Sequence, residues 1–108
     1  MAKYMIVASY TADGAKGLLK DGGSARRKAV KTLAAGVGAK LESFYYAFGS
    51  DDVYIVLDAP DNATVAAISL AVGASGAVHS RTIVLMTPED LDDAASKSKD
   101  VKYRAPGA

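Results

Sequence analysis

The chain has 108 residues, half of them hydrophobic, with 13 basic and 12 acidic side chains and a net charge of +1. A chain of that length buries a single core and makes one domain of common size. The charge balance argues against a nucleic-acid binder held by counterion release and against a polybasic membrane anchor. The absence of cysteine removes disulfide frameworks, thiolate zinc sites, cysteine nucleophiles and CxxC redox chemistry.

Lys3 precedes an apolar run that is too short for a signal-peptide core and has no cleavage pattern behind it. No apolar stretch approaches the length of a membrane span, so a cytoplasmic protein with no membrane partner is expected. Residues 4–10, aromatic and β-branched, predict a first strand closed by Thr11-Ala12-Asp13-Gly14. A short helical turn is predicted over residues 15–19, and Asp21-Gly22-Gly23 breaks it. Ser24 then reads as the N-cap of a long helix whose stripe is Ala25, Ala29, Val30, Leu33, Ala34 and Val37. Gly38 is its stop.

Residues 40–48 predict a second strand, 49–52 a tight turn and 53–58 a third strand, so these two form a hairpin. Pro60 ends the hairpin, Asp61 caps a second helix over residues 62–72, and Gly73 closes it. Residues 78–86 predict the fourth strand. Thr87 as cap, Pro88 at the first helical position and the acids Glu89 and Asp90 mark a further short helix start. From Ala95 the composition turns polar, which divides the chain into a domain of residues 1–94 and a tail of 95–108, free or ordered on a partner.

Tyr4-Met5-Ile6-Val7 and Tyr54-Ile55-Val56-Leu57 form a weak internal repeat, each opening a strand, helix, strand unit. Two such units interleaved predict a ferredoxin-like α+β sandwich: a four-stranded antiparallel sheet with both helices on one face. With the repeat as register, Met5, Val7, Ile55 and Leu57 share one face, and Tyr4, Ile6, Tyr10, Tyr54, Val56 and Asp58 share the other. Both faces are then largely apolar, although helices cover only one. A homo-oligomer paired through the sheet is expected, because apolar patches of that size are unusual on monomers. The second helix, apolar nearly all round from Ala63 to Val72, is expected to be buried on more than one side.

Several of these residues, in this order, resemble a known family. Ser43-Phe44-Tyr45-Tyr46-Ala47-Phe48-Gly49, Asp52, Asp58-Ala59-Pro60-Asp61, the alanine-rich helix, Gly73, Gly76 and Thr82 are similar to the GYD-domain family of small bacterial proteins, over roughly residues 3–90. The resemblance implies a fold like that of the dimeric α+β barrels, which agrees with sheet pairing, and it implies no known activity. The family's turn reads Gly, any residue, aromatic, Asp. Here Asp51 stands where that aromatic is expected, so no packing or pocket role of the aromatic carries over.

Candidate chemistry is sparse. His79 is the only histidine and has no His or Cys partner, so no metal site is expected. It suits a general base, and Arg81, two positions on, shares its strand face; together they can hold an anion. Tyr4, Tyr10 and Tyr54 with Asp58 make an amphipathic ligand surface at the sheet face, or else an oligomer interface in which tyrosine is equally at home. Ser24, Arg26 and Arg27 put positive charge at a helix N-terminus, against the helix dipole, a weaker candidate for an anion site. The Gly-Lys-Ser/Thr ending of a P-loop is missing, and no cofactor is expected. The third strand, which has only Tyr54 and opens on Asp51-Asp52, excludes the RNA-recognition version of this fold. Three functions stay open: a small module binding an organic ligand, a cofactor-independent enzyme using His79 and Asp58 or a tyrosine for proton transfer, and a structural assembly protein.

Overall fold

A computed structural model describes residues 1–108. Strand β1 (Ala2–Tyr10) leads through helices α1 (Ala12–Asp21) and α2 (Gly23–Gly36) into β2 (Lys40–Tyr46). β3 (Val53–Ala59) returns beside β2, α3 (Asn62–Ala74) crosses over, and β4 (Val78–Leu85) completes the sheet before helix α4 (Pro88–Ser98). The strand order is β2-β3-β1-β4, and every neighbouring pair is antiparallel. β1 and β2 are therefore parallel across β3, and β3 and β4 are parallel across β1. These are two interlocked split βαβ units, the ferredoxin-like α+β topology expected from the sequence.

The core lies on one side of the sheet. Tyr4, Ile6 and Ala8 of β1 and Val53, Ile55, Leu57 and Ala59 of β3 meet Ala34 of α2 and Val65 and Ile68 of α3. Each fully buried aliphatic side chain of this kind contributes about 1.5–3 kcal/mol. α2 ends in a Schellman motif: Gly38, at φ 77°, donates to the Ala35 carbonyl at 3.2 Å, and Ala39 donates to Ala34 at 2.9 Å. Asp61 caps α3 by accepting from the Thr64 amide at 2.8 Å. Thr87 and Asp90 close a capping box over the start of α4, with Pro88 in the first turn.

Four local expectations need correction. α1 is a full ten-residue helix with Thr11 as its cap. Its Gly14 lies so close to the loop before β4 that a Cβ would run into the Ala77 carbonyl oxygen; tertiary contact holds a helix that glycine content disfavours. Ser24 is not a cap. The chain turns through Gly22 from α1 directly into α2, which begins at Gly23 without a side-chain cap. α4, expected to be short, is an 11-residue helix that runs through Ser98. Finally, α3 runs through Gly73, its expected stop, to Ala74; it buries only Val65 and Ile68 on its own chain and leaves Leu70 74% exposed.

Candidate functional site

The antiparallel register decides which side chains meet. Opposite residues share a face, and Tyr4 opposes Leu57 while Tyr54 opposes Val7. The sequence repeat placed Tyr4 and Tyr54 on one face; they are on opposite faces. The two motifs are offset by one residue relative to the pleat, and a one-residue offset turns every side chain over. The expected ligand set is thereby divided. Tyr4 and Tyr10 point beneath the helices, whereas Tyr54, Asp58, His79 and Arg81 lie on the open face.

The open face has an apolar middle and two charged ends. Met5, Val56, Ile83 and Leu85 are half-buried there without a helix above them. At one end Lys3 bonds Glu42 at 2.6 Å and Asp58 at 3.0 Å. A bulge in β2 leaves Glu42 as the extra residue between Leu41 and Ser43, and bulges re-aim side chains in this way. Hydrogen bonds to Glu42, and then to Asp58, hold the Lys3 ammonium above the usual lysine range. At the other end Val7, only 1% exposed, lies between its cross-strand neighbours Tyr54 and Arg81. Asp51 bridges these two, 3.5 Å from the Tyr54 hydroxyl and 3.3 Å from an Arg81 guanidinium nitrogen. Asp51, at the position of the family's aromatic, thus closes a polar cover over Val7.

His79 is exposed on β4, opposite Ser9, and Arg81 shares its face. Asp58 lies opposite Lys3. Ser9 and Lys3 are six residues apart along β1, about 20 Å, so His79 and Asp58 form no proton-transfer pair within one chain. No three His, Cys, Asp or Glu side chains cluster so as to hold a metal ion.

On the helix side, Tyr4 is buried and donates to Asn62 Oδ1 at 2.6 Å, tying β1 to the start of α3. α2 packs over β2 and α3 over β4 and β3, which leaves a cavity of about 100 Å³ above the middle of the sheet. Its walls are mostly apolar, with Tyr10, Arg26, Ser69 and Ser80 as the polar exceptions. Tyr10 and Arg26 also line an adjoining recess beside α1. Near this mouth the Tyr46 hydroxyl donates to the Gly23 carbonyl at 3.2 Å. Burial, and then the neighbouring Tyr10 hydroxyl, push the Tyr46 phenol up to about 12.

The weaker anion set is divided as well. Ser24 and Arg27 line an outer groove between α2 and β2, with Lys28, Lys31, Phe44 and Tyr45. Arg26 faces the cavity instead. Sequence reasoning missed the cavity and its wall residues Ser69 and Ser80, and placed Ala29 only in the apolar stripe of its helix. A signal for Arg26 was present: Arg26, Val30, Leu33 and Val37 follow the helical period.

The family model described as GYD domain matches residues 4–95. No curated protein matches the chain. No helix is long and apolar enough to cross a membrane.

Proposed function

The chain belongs to the GYD domain family, and we propose that it is a homo-oligomeric module for a small organic ligand, with a second copy covering the open sheet face. The observation that carries this reading is the uncovered apolar stripe of Met5, Val56, Ile83 and Leu85. An isologous interface brings the same stripe from each copy together. Four strands of about seven residues present roughly 19 Å by 23 Å in projection, a large part of one partner's share in a standard interface of about 800 Å².

The C-terminal arm supplies more area. α4 buries none of its residues on its own chain, and it carries Glu89, Asp90, Asp92 and Asp93. The groove of Ser24, Arg27, Lys28 and Lys31 is complementary in charge, and its cations make no ion pair within the chain. We assign the acidic arm of a second copy to that groove. The separation of His79 from Asp58 favours a binding module over an enzyme using both in one chain.

Light scattering of dilute protein at physiological salt tests the assembly. At least twice the chain mass is expected. Val56→Lys puts a charge in the middle of the stripe while leaving the core side untouched, and it should give single chains. A parent protein that is monomeric at micromolar concentration overturns the oligomer.

A further inference from the structure

We propose that the cavity between α2, α3 and the sheet binds a one-ring aromatic carboxylate, with Arg26 and Tyr10 holding the carboxylate at the mouth. The inference rests on the reading of the domain as a ligand-binding module, but not on its oligomeric state. Three observations carry it. The cavity exists because small side chains face one another across it: Ala29 and Ala34 on α2, Ser69 on α3, Ala8 and Ser80 on the sheet. Its volume of about 100 Å³ is of the order that accepts a single ring, since an apolar cavity of about 150 Å³ stays dry and takes up benzene. Arg26 lines it half-buried and without a carboxylate partner; Asp13 and Asp21 line the outer recess, yet neither pairs with it.

A guanidinium without a counter-ion in its own chain is free to take an anion. Its planar pair of donors matches a carboxylate in two-point contact. Tyr10, beside it, adds a phenolic donor. The nearby Tyr46 keeps its proton throughout the neutral range, so no phenolate repels the anion. An apolar body with one anionic end satisfies walls and mouth together, whereas phosphate alone leaves the apolar walls unfilled.

The test is an amide NMR titration of the full chain with benzoate, and with benzyl alcohol as the uncharged probe. Parent protein should show shifts confined to the cavity, at Tyr10, Arg26, Val30, Ile68 and Val78, and benzoate should bind more tightly than benzyl alcohol. Arg26→Gln should weaken benzoate by about tenfold or more, as expected for a charge-assisted pair, and leave benzyl alcohol unchanged. Ala29→Phe should abolish both while keeping a dispersed, folded spectrum. Benzoate shifts centred on Tyr54 and Arg81 would overturn the cavity site but leave a binding module. Equal benzoate affinity in the parent and Arg26→Gln overturns the role of Arg26 and with it the proposal. No response to either probe at millimolar concentration overturns the cavity site.

Discussion

At the scale of single residues, three tyrosines of one sequence type have three different tasks. Tyr4 has a buried ring and a 2.6 Å bond to Asn62. Tyr4→Phe should therefore cost about 1 kcal/mol, the net worth of one hydrogen bond, and Tyr4→Ala about 3–5 kcal/mol, as for a buried aromatic. Urea unfolding midpoints of the two variants check both. Tyr54 sits on the open face, and its hydroxyl has only the long contact to Asp51. Tyr54→Phe should lie within about 0.5 kcal/mol of the parent. Tyr46 predicts a pH dependence. Its phenol titrates at about 12 in the fold against 10.0 for the ordinary group. The folded state therefore favours the protonated ring. That contribution is fully present below pH 10 and is lost as pH rises through about 12. Because the ring is partly exposed, solvent screening keeps the effect modest. Unfolding curves from pH 9 to 12 should show the parent losing more stability than Tyr46→Phe; parallel curves would remove Tyr46 from the alkaline transition.

At the scale of elements, helix ends follow chemistry that is visible locally, and helix faces do not. Asp61 before α3, Thr87-Pro88 before α4 and Gly38 after α2 all act as their residue types predict. Gly38→Ala forces a Cβ into a left-handed position and should cost about 1–2 kcal/mol, read from thermal and urea unfolding. The beginning of α2 departs from this pattern because α1 runs directly into it. The cause is the docking of α1 against the loop before β4, where Gly14 leaves room for the Ala77 carbonyl. Neighbouring sequence carries no trace of such a contact. The cavity likewise arises between elements: it needs α2 over β2 and α3 over β4, and only then do Ala29, Ser69 and Ser80 face a common space.

At the scale of the whole molecule, the radius of gyration of 17.4 Å and extents of 58 × 33 × 23 Å describe an elongated chain. A compact domain of this length has a radius near 13 Å. The excess fits an α4 arm that buries none of its residues on its own chain. Removing residues 88–108 should therefore leave the core intact. In the single-chain Val56→Lys background the melting temperature should be nearly unchanged by that deletion. In the parent, the same deletion should lower both the melting temperature and the assembled mass. Equal effects in the two backgrounds would mean that the arm stabilises its own chain. Raised salt should weaken the assembly as well, because the acidic arm and the basic groove attract through exposed charge.

The sequence by itself determined the βαββαβ order, the caps of α3 and α4, the stop of α2, the hairpin of β2 and β3 and membership of the GYD domain family. Each of these rests on neighbouring residues: a cap, a turn or a run of β-branched and aromatic side chains acts over a few positions. Only the tertiary structure decided which face each strand residue takes. The repeat suggested one tyrosine face, but the pleat has a period of two, and the pairing of Tyr4 with Leu57 and of Val7 with Tyr54 sent the rings to opposite sides. Sheet register is a relation between residues some fifty positions apart, and a shift of one residue inverts every side chain. The candidate site was legible only in fragments for the same reason. Tyr10 and Arg26 were each visible in the sequence, but their common place at the mouth of one cavity follows from how α2 and α3 settle on the sheet.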